Sequence, residues 1–154
     1  MLTGKKFIVL LVCIIISLPV FVGADEAAEL KKKIMFDQKK LIVMQNMEFT
    51  AEEGKFFWPV YNDLQNELFH VDQRAATLIV AYASVYQTMT DDQAAKIVAE
   101  YFDIQKSRTE ILARYAENFK KGLPAKKVFR YLQVENKLEA LSRYELAKEI
   151  PLAQ

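Results

Sequence analysis

The sequence predicts an all-α chain of four helices, and three observations carry that expectation. Apolar residues recur at steps of three and four over long runs, and two threonines stand where helices should start. Beyond residue 24 the only glycines are Gly54 and Gly122, which leaves little material for tight β-hairpin turns. The helices are expected to pack as an antiparallel bundle or a hairpin-like assembly with short connections.

The 154 residues support one domain behind a leader. Lys5 and Lys6 precede an apolar run from Phe7 to Val22, and Val22-Gly23-Ala24 offers a cleavage site before Asp25 and Glu26. This pattern predicts a signal peptide over 1–24 and a single helical domain over 25–154. The mature chain would lie in the periplasm, with no stable membrane anchor after cleavage. Losing Lys5 and Lys6, and no acid, takes the formal charge from +1 to −1. A neutral surface argues against nucleic acid as a partner, because displacing phosphate counterions needs a basic excess. Cys13 leaves with the leader, so neither a disulfide nor thiol chemistry is expected in the mature domain.

The first helix is expected from Asp25 to about Met47, with Ala27, Leu30, Ile34, Leu41 and Met44 at helical spacing. The second starts after Thr50, where Thr50 and Glu53 have the spacing of a capping box. Its stripe runs Phe57, Val60, Leu64, Leu68, Val71, Ala75, Leu78, Tyr82, Val85 and Met89. Pro59 predicts a bend between a short aromatic turn and the long helix, since its ring clashes with the carbonyl four residues earlier. Thr90 and Gln93 repeat the capping box and open a third helix along Ala94, Ile97, Tyr101, Ile104, Ile111 and Tyr115. Gly122 is expected to end it in a left-handed conformation. Pro124 suits the first turn of a fourth helix, carrying Val128, Tyr131, Leu132, Val134, Leu138, Leu141 and Tyr144 and stopping before Pro151.

The two helix starts, Phe49-Thr50-Ala51-Glu52-Glu53 and Met89-Thr90-Asp91-Asp92-Gln93, resemble the LTxxQ signature of the Spy/CpxP family of periplasmic stress proteins. The segments FWPVYNDLQNEL and LPAKKVFRYLQVENKLEA also resemble uncharacterised exported helical bacterial proteins. The resemblance implies a small, often dimeric helical protein that binds unfolded or partner proteins in envelope stress without ATP. The departures are Met89 and Phe49 for leucine, and Glu53 for glutamine.

Catalytic chemistry is not expected. Too few glycines remain for a phosphate loop or a Rossmann turn, no serine sits in a nucleophile elbow, and a lone histidine makes no triad. No cofactor is expected. Glu67 and His70 share one helical face at the spacing used in di-iron bundles, but such sites need that pair twice. Metal binding or sensing therefore stands as an alternative reading, beside a structural subunit of an envelope complex. The candidate client or partner surface is Phe56, Phe57, Trp58, Pro59 and Tyr61, with core packing as the competing fate of those rings. Lys120, Lys121, Lys126, Lys127 and Arg130 form a basic corner, either a site for acidic partners or a solvated turn. Arg108, Glu135 and Asn136, at or beside apolar positions, are candidates for a buried polar contact that fixes helix register.

Overall fold

Two threonines define where the long helices begin. Thr50 Oγ1 accepts from the Glu53 amide at 3.2 Å, and Glu53 Oε2 accepts from the Thr50 amide at 2.8 Å. Thr90 and Gln93 reproduce this at 3.3 and 2.9 Å. Each pair satisfies two amides that the helix leaves without partners, and acids in the first turn complement the positive end of the dipole. A computed structural model describes residues 24–153. It has four helices: α1 (Ala24–Met47), α2 (Ala51–Val85), α3 (Asp91–Lys120) and α4 (Ala125–Glu149). Among the described residues there is no strand, and no helix is long and apolar enough to cross a membrane. The expected leader lies outside them as far as residue 23.

The chain divides into two units after Ile42. Of the first, the described part is the amphipathic body of α1, with Leu30, Ile34, Met35 and Leu41 exposed and Lys32 Nζ 5.6 Å from the centre of the Phe36 ring. The second unit begins with the last turn of α1, whose Val43 and Met47 are buried. In this unit α2 and α3 run antiparallel, as their cross-links show. Glu67 meets Tyr115, Asp72 meets Arg108, and Arg74 meets Glu100 and Asp103. Helix α4 runs parallel to α2, with Tyr131 beside Gln65 near one end and the Pro151 carbonyl accepting from Tyr82 Oη at 2.6 Å near the other.

The core is an aromatic knot at the α3–α4 turn. Phe57 is fully buried and lies 4.9 Å from the Phe119 ring, 5.2 Å from Tyr131 and 5.5 Å from Tyr61. Such stacked and edge contacts add about 0.5–1.5 kcal/mol per pair beyond the area buried.

Three expectations about the backbone need correcting. Helix α2 is continuous through Pro59, so the aromatic segment is its first turns and not a separate turn. The hydrogen bond lost to proline would have ended on the Lys55 carbonyl. Both residues are exposed, so water can satisfy that carbonyl while the rings on the opposite face hold the helix together. Gly122 is not left-handed, and among the described residues the left-handed one is Glu48 at the end of α1, with φ 45°. Lys127 Nζ donates to the Glu48 carbonyl at 3.1 Å, and Arg130 lies 3.7 Å from its carboxylate. Finally, α2 ends at Val85, four residues short of Met89.

Gly122 is required by close approach. A Cβ there would lie 2.4 Å from Phe56 Cδ1, whereas one at Gly54 would meet nothing nearer than Trp58 Nε1 at 3.7 Å. The two glycines should therefore respond oppositely to alanine. Gly122→Ala should cost about 1–3 kcal/mol by overpacking. Gly54→Ala, inside a helix, should add roughly 0.5–1 kcal/mol. Urea unfolding of both variants measures the contrast.

Candidate functional site

The expected aromatic surface is largely interior. Phe57 and Tyr61 are buried, so they cannot present themselves to a client, and the core reading holds for them. Phe56 is half-buried against Gly122, Trp58 is half-buried with its ring 5.1 Å from Phe57, and Pro59 is exposed. Of the five residues expected to form that surface, only these last three keep accessible surface.

The basic corner is mostly engaged by its own chain. Lys120 pairs with Glu117 at 2.6 Å, and Lys121 donates to Asn118 Oδ1 at 2.9 Å. Lys127 reaches Glu53, tying the start of α4 to the cap of α2. Glu53 is held below its ordinary range first by the Lys127 hydrogen bond and then by the Thr50 amide. Nor do Glu67 and His70 assemble. Glu67 accepts from Tyr115 Oη at 2.8 Å and pairs with Arg114, while His70 is exposed, its ring 6.2 Å from that of Phe69. Burial followed by the Glu67 bond pushes Tyr115 up to about 12. Among the described residues no three His, Cys, Asp or Glu side chains are grouped to hold a metal ion.

The polar set at Arg108 does come together. Its guanidinium is nearly buried and bridges two helices from the third: Nη1 donates to Asp72 Oδ1 on α2 at 2.8 Å, and Nη2 lies 2.6 Å from Glu139 and 3.6 Å from Glu135 on α4. Glu135 is fully buried. Its Oε2 accepts from Tyr131 Oη at 3.3 Å and Gln65 Nε2 at 3.4 Å. Burial, then the Glu135 charge, holds Tyr131 and Tyr61 above the usual tyrosine range. Asn136, expected in this set, is exposed instead.

Above Arg108, α3 and α4 part to leave a cleft of ≈ 510 Å³. Its walls include Gln105, Leu112 and Ala116 from α3, and Leu132, Ala140 and Arg143 from α4. The rows forming these walls continue beyond the cleft by helical steps of three and four. On α3 the row extends to Phe102 and Val98, which are 64% and 53% exposed. On α4 it extends to Phe129, 62% exposed. The cleft is therefore the middle of a longer, mainly apolar face. The stripes do not point to it, because Phe102 and Phe129 both fall between stripe positions of their helices.

Two predictions follow from these contacts. Arg108→Met leaves Glu135 as an uncompensated buried carboxylate and should cost about 3–5 kcal/mol, most of it recovered by adding Glu135→Leu. Chemical denaturation of the single and double variants checks this, and equal losses would mean that the pair is not coupled. For Glu53, a depressed folded pKa gives stability that is present above the unfolded value near 4.5 and is lost as pH falls through the folded one. Glu53→Gln keeps a cap acceptor without the charge. It should melt below the wild type at neutral pH, with the gap closing in acid.

Compared with known protein families, curated proteins and solved structures, the chain has no match.

Proposed function

We propose that this chain is an exported, periplasmic helical bundle that binds a protein partner or an unfolded client without ATP, in the manner of the Spy/CpxP stress proteins its helix starts resemble. The observation that carries the reading is the exposed face around the α3–α4 cleft, where Val98, Phe102 and Phe129 extend an apolar lining of Leu112, Ala116 and Leu132. Large apolar side chains exposed along one face and edged by charge are the usual form of a protein-binding surface. Phe56, Trp58 and Pro59 would add a secondary contact at the start of α2. This shifts the expected client site from the aromatic segment to the outer face of α3 and α4. A metal-sensing role has no support from Glu67, whose carboxylate is already engaged by Arg114 and Tyr115.

The purified protein at a few-fold molar excess should slow the aggregation of a reduced or heat-unfolded client without nucleotide. Phe102→Ser and Phe129→Ser should each weaken that activity while leaving the helical circular dichroism unchanged. Phe57→Ser, in the core, should unfold the protein. Absence of suppression by the wild type would sink the client reading and leave a dedicated partner or a structural role. An N-terminus at Asp25 on protein recovered from the periplasm would establish export.

A further inference from the structure

Helix α4 sorts its charges by side. Its acids, Glu135, Glu139, Glu145 and Glu149, fall by helical spacing on the half that holds the buried Tyr131 and Val134. The first three are buried or half-buried and are engaged by Arg108, Arg143 and Lys148. The opposite side carries no acid. Lys126, Phe129, Arg130, Lys137, Leu141 and Tyr144 fall within an arc of about 120°, at roughly 100° per residue, and all six are exposed. Phe129 and Tyr144 are each 62% exposed and stand about 22 Å apart along the axis.

This arrangement costs the helix stability. Lys126 and Arg130 are like charges one turn apart, and neither they nor Lys137 has an acid three or four residues away on α4. Among the described residues Lys126 and Lys137 enter no ion pair, and Arg130 has a contact of 3.7 Å with Glu48. Lys126 also stands in a first turn without acids, against the helix dipole. An anionic surface laid along this face relieves all of these terms together.

The shape and chemistry of the face select that surface. Its side chains stand on the outermost line of a convex helix, so a plane touches all of them at once. Phe129 and Leu141 have no polar group, and they gain only from an apolar layer lying directly beneath the anions. A bilayer offers phosphates and then acyl chains in that order, and the long basic stems can reach the first while the rings enter the second. A nucleic acid keeps its stacked bases behind the phosphates, and an acidic protein surface has no such layer.

We infer that the outer face of α4 docks this protein reversibly on an anionic phospholipid bilayer, with the helix parallel to the surface. Phe129, Leu141 and Tyr144 sit at the boundary of headgroups and acyl chains, and Lys126, Arg130 and Lys137 lie against phosphates. Docking of this kind needs no spanning helix, and there is none among the described residues. It goes beyond client binding and shares Phe129 with it, at the border of the two faces.

Flotation of the purified protein with vesicles of phosphatidylglycerol and phosphatidylethanolamine, against vesicles of phosphatidylcholine alone, tests it. The anionic vesicles should bind at least about tenfold more tightly, and less so as salt is raised. Lys126→Gln, Arg130→Gln and Lys137→Gln combined should weaken that binding on the order of a hundredfold. Tyr144→Ser should weaken it several-fold, and circular dichroism should show both variants folded. The same loss of charge at Lys55, Lys96 and Lys106, exposed on α2 and α3, should leave binding nearly unchanged. Equal binding to both kinds of vesicle, or equal loss from the two sets of glutamines, would overturn the inference. So would binding to a duplex oligonucleotide or to polyglutamate with none to vesicles. Vesicle binding by a protein that fails to suppress aggregation would support it, and only the client reading would fall.

Discussion

The architecture of the second unit depends on what happens to the charge of Arg108. A guanidinium taken out of water costs several kcal/mol unless carboxylates replace its hydration, and the replacements come from two other helices. Asp72 approaches from α2, and Glu135 and Glu139 approach from α4 one turn apart. A slip of one residue between any two of these helices would move a carboxylate off the guanidinium and leave a charge unpaired. Nonspecific apolar contacts tolerate such a slip, so this network sets the register.

Around that anchor the two ends of the unit differ. Toward the α3–α4 turn, the rings of Phe57, Phe119, Tyr131 and Tyr61 fill the interior, and Gly122 allows Phe56 to close over the turn. Toward the far ends of α2 and α3 the stripe positions are only partly covered, and Val80, Val98 and Phe102 stand in water. There the helices are held by polar links such as Arg74 with Glu100 and Asp103, which are partly exposed and individually weak. One end of the unit is thus packed tightly, while apolar rows stay open along the helices toward the other.

The cleft joins these properties. Its floor is the buried Arg108 network, which neutralises charge inside the unit, and its rim is a continuation of ordinary helical periodicity. Because the charges beneath are already paired, what the cleft offers a visitor is mainly apolar surface, with Thr109, Asn136 and Arg143 as exposed polar groups in its lining. That combination favours an amphipathic helix or an extended apolar segment over a small charged molecule.

Much of the fold was legible in the residues because its causes are local. Capping boxes at Thr50 and Thr90 and the stops near Lys120 and before Pro151 depend on neighbours within a turn or two, and each appears where the spacing places it, whereas the stripes are covered only in part, with Tyr101, Leu141 and Tyr144 exposed. The association of Arg108 with Glu135 was also readable, since a charge at a stripe position demands a partner. Packing decided the rest. Whether Pro59 bends a helix depends on which face its missing bond points to, and here that face is wet. Whether Gly122 serves conformation or close approach depends on Phe56, sixty-six residues away in sequence. Which apolar rows become core and which stay open depends on how three helices divide one interior, and periodicity along a single helix carries no information about that division.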